Sequence, residues 1–269
     1  MKNSKPFPSP DAPDWLANGF LTAHQLSTCR TLFPGQTPEL ALTFIDLCLL
    51  QTALTASRQA ITTTYLDQVE LERFSSFSFA KRQLEWLGGR MAAKRAALSV
   101  ISKTAGLPTS CADYRIEAEA SGRPYLWCMR GAQAKLPAIS ISHSHGMAGA
   151  VAVAGHSCGL DLQRITPKVI SVRERFASSE ERSIISAAPG LHGQDEATLL
   201  TLLWSAKEAL RKAICCHPLL GFTEITLSQL QGNLHAGMIG HFTSSRLIFP
   251  LAPSLLLLNR PFVCALTIQ

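Results

Sequence analysis

The chain has 269 residues, with 25 lysines and arginines against 19 aspartates and glutamates, which gives a formal net charge of +6. Hydrophobic residues make up 46% of the sequence and charged residues 16%, a balance that excludes an intrinsically disordered chain and supplies ample material for a core. The length accommodates one large domain or two modules of roughly 100–150 residues. The moderate positive charge fits either a merely basic surface or a phosphate-bearing or acidic partner.

Cysteine usage and hydropathy predict a cytoplasmic protein. The eight cysteines are scattered and none forms a Cys-x-x-Cys pair, so we predict reduced thiols rather than a disulfide framework. The first ten residues lack the apolar core of a signal peptide. The most apolar stretch, residues 247–258, is interrupted by two prolines and is shorter than the ~20 residues that a membrane span needs, so no membrane partner is expected.

The predicted elements begin after a proline-rich start. Residues 1–13 contain four prolines and predict a loose arm, and residues 41–71 have apolar clusters without a clean period, which indicates only helix plus strand. Apolar residues recur at helical spacing over 80–99, so we predict a helix there despite the cost of two adjacent glycines. The sequence Ser-Gly-Arg-Pro at 121–124 is typical of a turn.

Strands are predicted in the middle of the chain. Residues 139–142 alternate strictly, 148–154 form a run of small apolar residues, and 159–163 alternate again. The two-residue period of a strand puts Asp161 and Gln163 on one face of this last segment.

Two helices and a set of strands are predicted in the last third. Ser178 followed by Glu181 is typical of a helix N-terminus with a capping box. A second helix is predicted over 196–214, and short alternating runs after residue 222 predict strands separated by glycine and proline.

One side-chain pattern occurs twice, at spacings of four that place each trio on one helix face. We interpret the recurrence as a sign of two similar halves that arose by duplication. The two trios are Trp86, Arg90 and Lys94, and then Trp204, Glu208 and Lys212.

Two acidic residues and a lysine form the first candidate site. Asp161 on a strand and Glu208 on a helix would suit one Mg²⁺ ion if they converge, because Mg²⁺ is held by one or two carboxylates, waters and phosphate oxygens. Lys212, one turn beyond Glu208, would then reach the same phosphate. An exposed helix face with a Glu–Lys pair explains the same spacing.

A serine and a histidine at a strand end form the second candidate site. Ser142 and His143 can bind a phosphate through hydroxyl and imidazole donors, whereas the pair His143 and His145 also fits transition-metal ligation. No third histidine or cysteine follows at ligand-like spacing, the nearest being Cys158, which argues against zinc. The sequence contains no Gly-x-Gly-x-x-Gly, Walker lysine loop or Gly-x-Ser-x-Gly elbow.

Five motifs in one order resemble the 4′-phosphopantetheinyl transferase superfamily, over roughly residues 66–225. The length, with Glu72-Arg73 and Leu87-x-Gly89-Arg90-x-x-x-Lys94, resembles its larger, pseudodimeric class, the surfactin-synthetase-activating and enterobactin-associated type. The five motifs are Gly122-Arg123-Pro124, Ile141-Ser142-His143-Ser144, Gly159-Leu160-Asp161-Leu162-Gln163, Arg175-Phe176-Ala177-Ser178-Ser179-Glu180 and Trp204-Ser205-Ala206-Lys207-Glu208-Ala209-x-x-Lys212.

The resemblance implies an α+β fold with two similar α/β half-domains in one chain, related by a pseudo-twofold axis. On that basis we expect an N-terminal arm and extension at 1–40, a first half-domain at 41–155, and a second half-domain at 156–269 that contains the metal-site residues. We also expect a monomer.

The resemblance further implies a holo-[carrier protein] synthase. Such an enzyme moves the 4′-phosphopantetheine arm of coenzyme A to a serine of an apo carrier protein, in an Mg²⁺-dependent reaction that releases adenosine 3′,5′-bisphosphate. By match to the motifs, Asp161, Glu208 and Gln163 are the expected metal ligands, and Glu208, Lys212 and Asp161 the catalytic residues. The expected coenzyme-binding residues are Arg73, Gly122, Arg123, Pro124, Ser142, His143, Lys207 and Lys212.

One position departs from the family pattern. Gln163 stands where many relatives have glutamate, and its carbonyl oxygen can still ligate Mg²⁺ or orient a metal-bound water. We therefore expect weaker or wetter metal binding rather than an inactive protein. The base that accepts the serine proton is either Glu208 or a metal-bound water.

Two other functions are weighed against this one. A catalytically impaired coenzyme A or carrier-protein binding relative is disfavoured by the intact Asp161, Glu208 and Lys212. A nucleic-acid-binding protein is disfavoured because the positive charges are dispersed and aromatic residues make up 7% of the chain. The carrier is expected to have an acidic surface around its modified serine, and carriers of fatty-acid, polyketide, non-ribosomal peptide or siderophore biosynthesis all fit these residues.

Overall fold

The computed structural model describes residues 13–17, 19–31, 39–102, 107, 109–131, 135–214, 216 and 218–269, so the loose arm predicted at 1–13 lies outside the described residues except for Pro13. The helices in these ranges are α1 (Ala23–Thr31), α2 (Leu47–Tyr65), α3 (Gln68–Ser75), α4 (Ala80–Ile101), α5 (Ser179–Ala187) and α6 (Glu196–Ile214). The strands are β1 (Leu40–Asp46), β2 (Tyr114–Ala118), β3 (Pro124–Cys128), β4 (Ala138–Ser144), β5 (Met147–Val153), β6 (Cys158–Arg164), β7 (Ile225–Asn233), β8 (Gly237–Ser244), β9 (Ser254–Asn259) and β10 (Phe262–Ile268).

The order of strands is repeated. The first half, β1 to β5, has the sheet β1-β5-β4 and a separate pair β2-β3; the second half, β6 to β10, has one sheet, β6-β10-β9-β8-β7. The strands β1, β5, β4, β3 and β2 thus correspond in order to β6, β10, β9, β8 and β7. The mixed helix and sheet content and the two similar sheet-containing halves confirm the predicted α+β fold class.

A buried glutamate–lysine pair organises the second half. Ser178 caps α5, and its capping box with Glu181 is present as predicted. Glu181 accepts hydrogen bonds from Lys207 Nζ of α6 at 2.8 Å and from the backbone N–H of Leu227 in β7 at 2.7 Å. Lys207 also donates to the carbonyl oxygen of Phe176, so one carboxylate joins α5, α6 and β7.

The first half contains the same arrangement. Asp67 caps α3 in a capping box with Glu70. Glu70 is hydrogen-bonded by Lys94 Nζ of α4 and, at 3.0 Å, by the backbone N–H of Ile116 in β2. Lys94 also donates to the carbonyl oxygen of Tyr65 at 2.6 Å. The two sets of contacts match one for one.

These contacts correct the register of the predicted repeat. Lys94 of α4 corresponds in its contacts to Lys207 of α6, not to Lys212 as the repeated trio implies. Residue types alone suggested the wrong pairing. In each half the equivalent lysine is the one that contacts the buried glutamate of the preceding helix, and helix packing decides which lysine that is. The inference of two similar halves stands, but the trios are not equivalent.

Most predicted elements are present. The helices predicted over 80–99 and 196–214 are α4 and α6, and the three predicted middle strands are β4, β5 and β6. Residues 41–71 fold as β1, α2 and the start of α3, and Ser57 has non-helical dihedral angles inside α2, which interrupts any helical period there. Among the described helices, none has the length and apolarity to cross a bilayer.

A hydrophobic cluster fills the space between the halves. It includes Phe44 and Val151 from the first half and Leu160, Leu255 and Leu266 from the second, all buried. The two halves therefore share a core.

The described part of the predicted N-terminal extension packs across both halves. Trp15 meets Tyr65 edge-on at 5.8 Å between ring centroids, and Phe20 stacks on Phe44 at 4.3 Å. Asn259 of the second half donates a hydrogen bond to the carbonyl oxygen of Phe20 at 2.6 Å. This segment therefore contacts both halves.

Candidate active site

Close packing of α6 on β6 places the first site residue. A Cβ atom built on Gly159 would lie 1.8 Å from the carbonyl oxygen of Ala209, so only glycine allows α6 this close to the strand. Since Asp161 and Gln163 are two and four residues beyond Gly159, the strand period turns them toward α6 as well. Asp161 is 3% exposed and lies at the middle of β6.

Three donors stabilise the buried carboxylate of Asp161. Ser205 Oγ and Lys212 Nζ of α6 donate from 2.9 Å each, and Ser142 Oγ of β4 donates from 3.1 Å. Lys212 also donates to the carbonyl oxygen of Leu160 at 2.8 Å. An ionised carboxylate has about four lone-pair sites, so one acceptor position of Asp161 remains for a further ligand.

Glu208 lies one turn before Lys212 and is partly buried. Burial raises the pKa of its carboxyl group, and the negative charge of Asp161 raises it further, while Arg211 and Lys212 oppose the shift. Arg211 donates a hydrogen bond to Glu208 at 3.1 Å. The structure thus brings together Asp161, Glu208 and Lys212, the three residues that the sequence singled out.

A row of serines joins β4 to β6 at this site. Ser140, Ser142 and Ser144 of β4, called the serine row below, accept hydrogen bonds from backbone N–H groups of β6. The donors are Leu160 at 3.0 Å, Leu162 at 3.0 Å and Arg164 at 3.1 Å. Hydroxyl groups thus take the place of a backbone ladder where the two halves meet.

The serine row gives Ser142 a second contact. Its hydroxyl proton is donated to Asp161, and its oxygen accepts from Leu162. Ser142 therefore orients Asp161, and its contact with the coenzyme stays a prediction.

A cavity of about 690 Å³ lies on the opposite face of β4. His143, the neighbour of Ser142, points into it, since successive strand residues face opposite ways. Four charged residues of α4 also line it, three of them basic, and this composition favours an anionic ligand. The lining residues are Phe79, Lys81, Arg82, Glu85, Trp86, Gly89, Arg90, Ile141 and His143.

Arg90 is the most constrained cation of this cavity. Its guanidinium lies over the Trp86 ring at 3.6 Å, and its Nε is 3.4 Å from Glu70 Oε1. Burial lowers the pKa of Arg90 to about 10, Glu70 opposes the shift, and the charge of Arg73 adds to it, so Arg90 remains charged at neutral pH. Arg73 is exposed on α3 with its guanidinium 5.2 Å from the Phe77 ring, close enough to Arg90 to affect it.

Lys207 does not line this cavity or face Asp161. It is fully buried and donates to Glu181, to the carbonyl oxygen of Phe176 and, at 3.1 Å, to that of Phe222. All three protons of its ammonium group are donated to these acceptors, so Lys207 has a structural role here, and its contact with the coenzyme stays a prediction.

Gly122, Arg123 and Pro124 lie at the turn from β2 to β3. Gly122 has a φ of +84°, a conformation that favours glycine, and its N–H donates to the carbonyl oxygen of Glu119 at 2.8 Å. The described residues that line the cavity do not include this turn. Gln163, partly buried at the end of β6, pairs in register with Val263 of β10.

The donor set around Asp161 fits a hard divalent cation. Its side-chain oxygens come from Asp161, Glu208 and, on the same strand face, Gln163, which are the ligand types that Mg²⁺ prefers. The two carboxylates are close enough for Asp161 to raise the pKa of Glu208, a repulsion that a cation would relieve. Within the described ranges, no cluster of three or more histidine, cysteine, aspartate or glutamate side chains suits a metal. A site here would therefore need water or substrate oxygens as further ligands.

Sequence reasoning missed two groups of site residues. Ser205 lies one turn before Glu208 and donates to Asp161, and its position on the same helix face as Glu208 and Lys212 is the signal that could have identified it. Arg82 and Trp86 line the cavity from α4, and no sequence signal tied this helix to His143.

Comparisons with known proteins agree with these observations. Residues 157–249 match the model of the 4′-phosphopantetheinyl transferase superfamily. The chain is 34% identical over 88 residues to the holo-[acyl-carrier-protein] synthase of Bacillus subtilis (strain 168), a match that covers 33% of this chain and 71% of that protein.

Solved structures give partial overlaps. A holo-(acyl-carrier-protein) synthase from Bacillus anthracis str. Ames, in complex with CoA (3′,5′-ADP), is 23% identical with a TM-score of 0.36, covering 42% of this chain and 92% of its own. The Chronobacterium ammoniagenes ACPS–CoA complex is 19% identical with a TM-score of 0.35, covering 44% of this chain and 96% of its own.

Proposed function

The chain belongs to the 4′-phosphopantetheinyl transferase superfamily, and from this membership we propose that it transfers the 4′-phosphopantetheine arm of coenzyme A to a serine of an apo carrier protein. One observation supports the proposal above all others. Asp161, Glu208 and Lys212 converge where the halves meet, and the adjoining strand leads from them to a basic cavity.

The reaction forms one bond and breaks another at a single phosphorus. The carrier serine oxygen bonds to the pantetheine-side phosphorus of the coenzyme's diphosphate, and the bond from that phosphorus to the bridging oxygen breaks. Adenosine 3′,5′-bisphosphate leaves, and the serine proton passes to a base. Glu208 is the candidate base, directly or through water, because its carboxylate lies beside Asp161 and is only partly buried.

Asp161, Glu208 and Gln163 are the residues that would hold Mg²⁺, which when bound would neutralise charge on the diphosphate. Lys212 is held by Asp161 and by the carbonyl oxygen of Leu160, so its ammonium is fixed where it can contact the phosphates. Ser142 and Ser205 fix the carboxylate of Asp161.

The basic cavity is the proposed site for the nucleotide end of the coenzyme. His143, Arg82 and Arg90 supply donors for phosphate oxygens, and the Trp86 ring holds the Arg90 guanidinium in place. Arg73 extends the positive charge at the same end. Gly122, Arg123 and Pro124 remain proposed nucleotide contacts from the neighbouring turn.

We assign the chain to the larger, pseudodimeric class of the family, as a cytoplasmic monomer. The repeated strand order and the matched glutamate–lysine pairs support two half-domains at 41–155 and 156–269, after an extension at 1–40. The +6 charge supports an acidic carrier surface as partner.

Transfer can be tested directly by mass. The protein is incubated with coenzyme A, Mg²⁺ and an apo acyl carrier protein, and the carrier is weighed by mass spectrometry. A gain of one phosphopantetheine group is expected. An unchanged mass with acyl, peptidyl and aryl carriers alike would contradict the proposal, and coenzyme A binding without transfer would identify an impaired relative.

A substitution tests the proposed role of Glu208. Glu208→Ala should reduce transfer at least a hundredfold, because it removes both a metal ligand and the candidate base. Glu196→Ala, at the exposed start of the same helix, is the matched control and should retain activity. Equal activity of the two variants would place the reaction elsewhere.

A further inference from the structure

The glutamates of the two matched glutamate–lysine pairs differ in one charged partner. Four residues before Lys94, α4 has Arg90, whose Nε is 3.4 Å from Glu70. Four residues before Lys207, α6 has Leu203, which is fully buried in the apolar core. Glu70 therefore faces two cations, whereas Glu181 faces one. A role in stability explains the glutamate–lysine contact that both halves share, but it does not explain why Glu70 also faces Arg90.

The guanidinium of Arg90 is contacted by Glu70 along one edge and by the Trp86 ring on one face. Glu70 is 3% exposed and fixed by Lys94 and by the backbone N–H of Ile116. It faces Arg90 on the Nε side, and Nε is buried without a hydrogen-bond partner. Trp86 covers the guanidinium plane at 3.6 Å. The Arg90 guanidinium is thus flanked by Glu70 and by Trp86, and Arg90 lines the basic cavity.

We propose that Glu70 is a positioning residue that orients Arg90 to bind a phosphate group of the coenzyme in this cavity. The inference rests on the proposed function, since it takes the cavity as the coenzyme site. Glu70 itself is buried and acts through Arg90. An arginine held in a fixed orientation loses less side-chain freedom on binding an anion than a mobile one.

Binding of adenosine 3′,5′-bisphosphate, measured by calorimetry on the full chain, tests this role. Glu70→Gln removes the negative charge and should weaken binding about tenfold, as expected when a charge-assisted contact is misaligned. Glu181→Gln is the matched control, because it breaks the equivalent pair without touching Arg90, and its binding constant should stay within about twofold of the wild type. Urea unfolding should show both variants folded.

A double substitution separates orientation from a general loss of packing. On an Arg90→Gln background, Glu70→Gln should weaken binding by no more than about twofold, because the group it orients is gone. In transfer assays Glu70→Gln should raise the KM for coenzyme A about tenfold and leave kcat within about twofold. A full tenfold effect on the Arg90→Gln background, or equal weakening by Glu181→Gln, would overturn the proposal.

Failure of the inference is distinguishable from failure of the proposed function. A wild-type protein that binds neither adenosine 3′,5′-bisphosphate nor coenzyme A overturns both, whereas wild-type binding that Glu70→Gln leaves unchanged overturns only the role of Glu70. Should Glu70→Gln not fold, Glu70→Asp, which keeps the negative charge but moves the carboxylate back by one methylene, takes its place in the same binding and transfer measurements, with the same outcomes for and against the proposal.

Discussion

Burial affects two ionisable residues of the chain in different ways. At Asp161 it is offset by three hydrogen-bond donors, which allow a carboxylate to stay in a site with little water. At Cys111, burial raises the pKa of the thiol to about 11, and the positive charges of Lys94 and Arg95 oppose the shift only in part. Cys111 should therefore remain protonated well above the pH at which an exposed cysteine ionises.

Cys111 predicts a loss of stability at alkaline pH. The unfolded thiol ionises near pH 9 and the folded one near 11, so its contribution is complete below pH 9 and is lost as the pH rises to 11. Two pKa units correspond to roughly 2.7 kcal/mol. The free energy of unfolding, measured with urea, should decrease less steeply between pH 9 and 11 for Cys111→Ala than for Cys48→Ala, which removes an exposed cysteine as a control. Identical slopes would contradict the assignment.

Local patterns suggested the acidic site only as a hypothesis. The strand period and the spacing of four on a helix were compatible with Asp161, Glu208 and Lys212 lying together, and the family resemblance singled these residues out. The contacts of Lys207 and Ser142 were not predicted, because each residue has a partner far along the chain, Glu181 for the lysine and Asp161 for the serine. The sequence alone does not state which of two neighbouring polar residues faces inward.

At the scale of elements, the serine row makes a strand contact without a backbone ladder. Ser140 and Ser142 each accept one N–H of β6, and only Ser142 also donates to Asp161. Ser140 and Ser142 therefore both bind β6, and they differ in the hydrogen bond from Ser142 to Asp161. They form a matched pair for experiment.

Ser140→Ala and Ser142→Ala should both lower the free energy of unfolding, Ser142→Ala by more because the buried carboxylate of Asp161 also loses a donor. Each leaves a buried N–H group without an acceptor, which costs about 1–3 kcal/mol. Only Ser142→Ala should reduce transfer, by roughly 10- to 100-fold, because a hydrogen bond to the Asp161 carboxylate is lost. Denaturant titrations and the carrier mass assay measure the two effects. Equal activity of both variants would show that Ser142 is only structural.

Elements with a regular apolar pattern were predicted better from the sequence than irregular ones. The approximate bounds predicted for α6 agree with the structure, because this helix has clear apolar spacing. The segment that forms β1 and α2 had no clear pattern, since α2 is interrupted at Ser57 and half-exposed along much of its length. The strand order also lay beyond sequence reasoning, because pairing between distant strands leaves little local trace.

At the scale of the whole molecule, the two halves have diverged at equivalent places. Thr43 is the fourth of seven residues in β1, as Asp161 is in β6. Arg95 and Ser99 follow Lys94 as Glu208 and Lys212 follow Lys207. These three first-half residues line a second cavity of about 530 Å³, whose described lining contains no carboxylate. Among the described residues, these first-half positions therefore provide no acidic counterpart to Asp161 and Glu208.

The shared core predicts that the halves fold together. Dividing the coding sequence between the exposed residues Gly155 and His156 gives two fragments. Each fragment exposes its part of the hydrophobic cluster between the halves. Either fragment alone should aggregate or bind a hydrophobic dye, whereas co-expressed fragments should co-elute in gel filtration and recover transfer. Soluble, dye-free single fragments would indicate independent domains.

The covalent connection between the halves has an evolutionary consequence. In a symmetric dimer of identical chains, one mutation alters every copy of the interface at once. In a single chain with two similar halves, a mutation alters one half and leaves the other as it was, so Asp161 of β6 and Thr43 of β1 can differ. Each half can therefore acquire its own contacts, and in the first half Trp15 packs on Tyr65 and Phe20 on Phe44.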